Sequence, residues 1–158
     1  MPLKLTQEQL EVIRNHGSRD YPNECCGILL GHSHDQLKEV ADVVPLKNLR
    51  HEPERAQAIL PVDSPAAESE RNRFLIDPKD QIRVEKEARM RGLEVVGYYH
   101  SHPDHPARPS DYDRDHGWPW YSYVIISIQQ GKAGELNSWV LRDDRSKFDL
   151  ESVKAVNP

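Results

Sequence analysis

Two histidines one residue apart, His100 and His102, open a stretch whose residue types point to metal chemistry: "HSHPDHPARPSDYD", residues 100 to 113. Side chains alternate along a strand, so both imidazoles share one face. A strand end is also a rigid mount, which a metal site needs. Seven residues, among them Pro103, Pro106 and Pro109, separate His102 from Ser110, and two more separate Ser110 from Asp113. Two neutral imidazoles and one carboxylate make a three-ligand set with a fourth position open to water. That is the pattern of catalytic rather than structural zinc.

Such a water needs a base within hydrogen-bond reach. Glu24, in "YPNECCGILLG", stands at the entrance of an apolar strand, where an acid calls for a reason. Partial burial there raises a carboxyl pKa, which suits a group that accepts a proton and then returns it. Ser110 reads as the N-cap of a short helix with Asp113 in its first turn. Asp104, His105, Asp111, Asp115 and His116 surround the motif and read as solvated. Cys25 and Cys26 are adjacent, too strained to bridge each other, and read as small residues packed at the strand start.

The elements that must position these residues follow from periodicity and caps. A first helix is predicted from Thr6 to about Asn15, with a Thr6/Gln9 capping box, an apolar face of Leu5, Leu10 and Ile13, and Gly17 as its stop. Strands follow at Cys26 to Gly31 and at "LKEVADVVPL", joined through "HSHDQ". Residues 46 to 72 are polar, rich in proline and acids, and without period, which predicts a long mobile loop. "RFLID" reads as a short strand. Asp77 caps a helix with Pro78 at its first position, containing Ile82, Val84, Ala88 and Met90 and stopped by Gly92. In the strand "LEVVGYYHSH", alternation puts Val95, Gly97, Tyr99 and Ser101 on one face. It puts Val96, Tyr98, His100 and His102 on the other. "YSYVIISI" and "ELNSWVLR" are further strands, "KFDLESV" an edge strand, and Trp118 and Trp120 are expected to pack on the sheet. The order α β β (loop) β α β α β β describes one domain over residues 1–158. Its class is α/β (α+β), a mixed central sheet with flanking helices.

Composition narrows the function classes. At 158 residues and 37% hydrophobic content the chain can build one core. Its net charge is −5 with basic residues scattered among acids, so it has no stripe for a phosphate backbone and no nucleic-acid partner is expected. No apolar run is long enough for a membrane span, and the N-terminal stretch is amphipathic rather than a signal peptide. With two adjacent thiols as its only cysteines, the chain reads as cytoplasmic.

Glu24 followed by H-x-H-x7-S-x-x-D resembles the motif of the JAMM (MPN-plus) metallopeptidases, over roughly residues 3 to 142. The resemblance implies a cytidine-deaminase-like MPN fold and one Zn2+ per chain, held by His100, His102 and Asp113. It makes Glu24 the general acid/base, Ser110 a donor to the oxyanion, and hydrolysis of a peptide or isopeptide bond the reaction. The H-x-E and P-C-x-x-C signature of zinc deaminases is absent. The chain is compact around the motif, without the insertions of polyubiquitin-cleaving members. It resembles the small stand-alone bacterial and archaeal members, which implies a ubiquitin-like sulfur-carrier protein of the ThiS/MoaD type as substrate. A slim Gly-Gly tail suits a narrow cleft beside a sheet edge. The alternatives are a deubiquitinase-like isopeptidase on another ubiquitin-like modifier, a zinc hydrolase of small amides, and a non-catalytic MPN scaffold. A homodimer is compatible with the sequence.

Overall fold

The computed structural model of the protein describes residues 1–49 and 75–157. In chain order the elements are β1 (Leu3–Thr6), α1 (Gln7–Asp20), β2 (Cys26–His34), β3 (Leu37–Leu46), α2 (Pro78–Met90), β4 (Glu94–Pro103), α3 (Asp111–His116), β5 (Ser122–Gln129), β6 (Lys132–Leu141), β7 (Phe148–Glu151) and β8 (Val153–Val156). They form one eight-stranded sheet in the order β7-β6-β5-β4-β2-β3-β1-β8. The sheet is mixed: β4 and β5 run parallel, β1 runs parallel to both β3 and β8, and β2 is antiparallel to β3 and β4. The mixed sheet with flanking helices is the expected class.

The two long helices each cover one face. Leu10 and Ile13 of α1 pack with Leu29, Val124, Ile126 and Ile128. Val84 and Ala88 of α2 pack with Cys26, Ile28, Leu30 and Leu46. Full burial of such a side chain contributes roughly 1.5–3 kcal/mol, so these two layers carry the fold. Within α2 only that stripe is covered; Ile82 and Met90 are exposed. Its start at Asp77 is as expected, the Asp77 carboxylate accepting from Lys79 N at 2.9 Å, and Gly92 follows its end at φ +70°.

α1 keeps its predicted capping box, with Thr6 and Gln9 bonded reciprocally at 3.1 and 2.9 Å. It does not stop at Gly17. That glycine is inside the helix, where a Cβ would lie 2.7 Å from Ile128 Cδ1, so it serves close approach to the sheet. The helix ends before Tyr21, whose backbone is kept out of the helical region by Pro22. Leu5 belongs to β1, a strand too short to show a period in sequence.

Other expectations are revised. "KFDLESV" is divided between β7 and β8, the two edges of the sheet, joined through Ser152 alone. Leu75–Asp77 of "RFLID" are not strand; its first two residues lie outside the described residues, as does all but the start of 46–72. A bulge in β4 opposite Leu29/Leu30 shifts alternation, so Val95 packs with Tyr98 over α2 and Val96 with Tyr99 over α1, the reverse of a regular strand. Trp118 and Trp120 are 65% and 39% exposed and lie against Arg145 and Lys38 instead of the sheet core.

Candidate metal centre

The bulge leaves the C-terminal half of β4 in regular alternation, so His100 and His102 point the same way, as expected. Cys26 pairs with His100 across the antiparallel β2–β4 ladder. Two residues further along, the same register places Glu24 beside His102. The Ser101 hydroxyl accepts from Cys25 N at 2.8 Å, and Ser101 N donates to Cys25 O at 3.2 Å, which locks the register where it matters. Glu24 is only 3% exposed. Its own carbonyl accepts from Asn48 Nδ2 at 2.9 Å, while Asn48 Oδ1 accepts from Leu75 N at 2.9 Å. Asn48 falls in the stretch read as loop, and it is buried. Nothing in its sequence context distinguishes it from a solvated asparagine.

The four expected groups come together. Ligand atoms of Glu24, His100 and His102 all lie within 4.8 Å of one another. The two imidazole Nε2 atoms are 3.1 Å apart. Asp113 presents one oxygen to each ring, Oδ1 3.3 Å from His100 Nε2 and Oδ2 3.4 Å from His102 Nε2. A tetrahedron with bonds of about 2.0–2.1 Å has edges of about 3.3–3.4 Å, so these spacings fit a shared ion. The donor chemistry agrees. His102 Nδ1 lies 3.0 Å from the Pro106 carbonyl, which can only accept. Nδ1 therefore carries the proton and Nε2 turns a lone pair toward the centre. Electron-pair donors converging in a buried place require a cation, and the Glu–His–His cluster is able to hold a divalent metal.

Burial alone would raise the Asp113 pKa. When protons rather than a metal occupy the site, the charge of the adjacent His100 and hydrogen bonds from both imidazoles outweigh it and hold the carboxyl well below the usual range. Asp113 is further fixed by the helix it starts. Ser110 N donates to Asp113 Oδ2 at 2.8 Å and Asp113 N donates to Ser110 Oγ at 3.1 Å, a capping box at the N-terminus of α3. The Ser110 hydroxyl accepts in that bond, which leaves its proton for another partner.

The proline loop between His102 and Ser110 is fastened from below. Asp104 N donates to Ile128 O at 2.7 Å and Ser127 Oγ to His105 O at 2.6 Å. The Ala107 carbonyl receives both Asn137 Nδ2 at 3.2 Å and Trp139 Nε1 at 3.0 Å. These β5 and β6 residues were invisible as site residues in the sequence. Cys25 and Cys26 are fully buried, on opposite faces; burial pushes the Cys25 thiol up to about 12 and that of Cys26 well above its ordinary value. Both behave as packing residues, as read.

Beside the metal-binding cluster lies a cavity of about 470 Å³ lined by Glu24, His102, Pro103, Pro106, Arg108 and Ser110. Among the described residues, no helix is long and apolar enough to cross a membrane.

Comparison with known proteins covers the stretch that holds these residues. Residues 6–142 match the family described as prokaryotic homologs of the JAB domain. The desampylase of Haloferax volcanii is 30% identical over 115 residues, 72% of this chain and 69% of its own. A protein of Thermus thermophilus named "Probable TtuB-protein conjugate cleaving protease" is 32% identical over 124 residues, 78% of this chain and 69% of its own. A solution structure of a protein from Desulfitobacterium hafniense aligns with a TM-score of 0.76 at 30% identity, covering 99% of this chain and 94% of that one. A JAB1/MPN domain protein from Archaeoglobus fulgidus shares the fold, with a TM-score of 0.54 at 16% identity over 99% of both chains. On this match, and with a Glu–His–His cluster able to hold a divalent metal, the chain belongs to the prokaryotic JAB-domain proteins and is a metallopeptidase of the JAMM/MPN family.

Proposed function

We propose that the protein is a zinc-dependent peptidase that hydrolyses a peptide or isopeptide bond at the C-terminal tail of a ubiquitin-like sulfur-carrier protein. The observation that carries the reading is the convergence of Glu24, His100, His102 and Asp113 at one edge of a cavity that also holds Ser110. We assign His100, His102 and Asp113 as metal ligands, one zinc per chain. Two imidazoles and a carboxylate suit zinc by ligand type. When bound, the ion polarises the scissile carbonyl and makes water acidic enough to attack near neutral pH.

The remaining steps belong to the chain. Glu24 takes a proton from the attacking water and delivers it to the leaving nitrogen, as one C–O bond forms and the C–N bond breaks. The Ser110 hydroxyl donates to the oxygen on which negative charge develops. The Pro106 carbonyl and the capping box hold His102 and Asp113 still throughout. The substrate class is supported by the relatives: one is named for cleaving TtuB–protein conjugates. That name speaks of a protein conjugate, so the carrier joined to a lysine side chain is the second substrate to try. A scaffold role is disfavoured because the donor set is complete.

The test is cleavage of two substrates by zinc-loaded protein: a carrier extended beyond Gly-Gly by a short peptide, and the same carrier joined to a lysine side chain. Cleavage after Gly-Gly in either, lost in Glu24→Gln, is the expected result and tells which bond is used. No cleavage of either, with cleavage of a small amide instead, would replace the protein-tail reading.

A further inference from the structure

The loop that carries the site also carries an uncommitted guanidinium. Arg108 follows the fully buried Ala107, and its backbone N donates to Pro106 O at 2.8 Å, so the base of the side chain is fixed. The side chain is exposed and makes no ion pair and no hydrogen bond among the described residues. It lines the same cavity as Glu24, His102 and Ser110, whose other walls are largely proline; Glu24 is the one acid lining it among the described residues. On its other side Arg108 borders a hollow of about 250 Å³ shared with Arg114, Trp139 and Lys147. Arg114 is engaged with Asp111 at 3.7 Å and Asp115 at 3.6 Å, while Lys147 makes no ion pair among the described residues. Asp111 lines that hollow too, and Arg108 and Lys147 are the rim cations that no carboxylate pairs among the described residues.

A solvated arginine is ordinary on a surface. Arg108 differs because it shares a cavity with the proton donor of the proposed reaction. Glu24 must reach the leaving nitrogen, so the leaving group occupies the space that Arg108 also borders. The guanidinium fork matches a carboxylate in two parallel hydrogen bonds. We infer that Arg108 recognises a carboxylate on the leaving-group side of the scissile bond and sets the enzyme's preference there. The inference rests on the peptidase reading above and deepens it. Such a carboxylate comes from one of two sources: the free α-carboxylate of a single terminal residue, or an acidic side chain in a longer extension.

The test uses the zinc-loaded full chain and a sulfur-carrier protein extended beyond Gly-Gly in four ways. The extensions are one alanine with a free acid, one alanine amidated, and amidated tripeptides with aspartate or asparagine at their second position. Wild type should favour one acid-bearing member over its neutral twin by about 10–100-fold in kcat/KM, chiefly through KM, as loss of a charge-assisted bond implies. Which pair shows the preference identifies the source. In Arg108→Gln that preference should collapse to near parity, and Arg108→Lys should keep part of it. Unchanged zinc content and thermal midpoint would show that the variants are folded. Equal rates within both pairs for wild type would overturn the inference and leave the peptidase intact. So would a preference that survives Arg108→Gln. No cleavage of any of the four by wild type would overturn this inference, and cleavage of the lysine-linked carrier by the same protein would show that the peptidase reading stands without it.

Discussion

Glu24 and Ser110 have separable tasks, and single substitutions distinguish them. Glu24→Gln keeps size and burial but removes the proton carrier. It should lower kcat by about 10²–10⁴ while metal content, read by elemental analysis, stays at the wild-type level. Ser110→Ala should cost about 10²–10³ in rate and about 1 kcal/mol of stability through the lost cap. Ser110→Gly separates the two: glycine caps nearly as well, so the thermal midpoint should recover while the rate stays low. Recovery of both would make Ser110 a cap only. At this scale the sequence was most informative. His100, His102, Ser110 and Asp113 were legible because their spacing along one short stretch is itself the geometry: period two on a strand, then a box at a helix start. Glu24 was legible because an acid beside "CCGILL" is anomalous. Asn48, which holds the Glu24 carbonyl, was not, since its partners lie at positions 24 and 75 and no local pattern joins them.

Elements position the site through contacts between strands remote in sequence. The proline loop stays in place because Ala107 O accepts from both Asn137 and Trp139 on β6. Trp139→Phe should cost about 0.5–1.5 kcal/mol, because Asn137 still donates. Asn137→Ala combined with Trp139→Phe leaves a buried carbonyl unpaired and should cost more than that single change. It should also loosen His102, seen as faster loss of metal to a chelator in competition titrations. Equal chelator resistance in all three proteins would confine the clasp to stability. Long periodic elements such as β2, β3 and α2 were legible from their patterns. β1, β8 and the bulge of β4 were not. Four-residue strands show no period, and a single extra residue moves Val95 and Val96 across the sheet without a sequence mark. Gly17 misled because glycine serves both helix ends and close helix–sheet contact. Only the position of Ile128 decides between them.

At the scale of the whole molecule, the sheet coils until its two edges meet at Ser152, and a buried polar cluster sits at that closure. Lys38 of β3, 1% exposed, lies 3.6 Å from Glu151 of β7 and donates to Ser122 Oγ at 3.0 Å. Glu151 Oε1 in turn accepts from Ser122 at 2.6 Å and Ser138 at 2.9 Å. Burial lowers the Lys38 pKa and the facing Glu151 charge opposes that shift. Glu151→Ala strands a buried ammonium and should destabilise by about 3–5 kcal/mol, measured by urea unfolding. Lys38→Met with Glu151→Leu should recover part of that loss, because it removes the stranded charge but leaves the buried Ser122 and Ser138 hydroxyls without their acceptor. A double variant no more stable than the single one would mean that the pair contributes net binding across the closure.

On the proposed reading this sheet presents a zinc site at the end of β4. The most direct test is elemental analysis of purified wild type beside the His100→Ala, His102→Ala double variant, each after equilibration with zinc and removal of the excess. The proposed function predicts about one zinc per wild-type chain, as for a catalytic three-ligand site, and none in a double variant that retains the wild-type circular dichroism spectrum. A wild type that takes up no zinc, or a folded double variant that takes up as much, would contradict it.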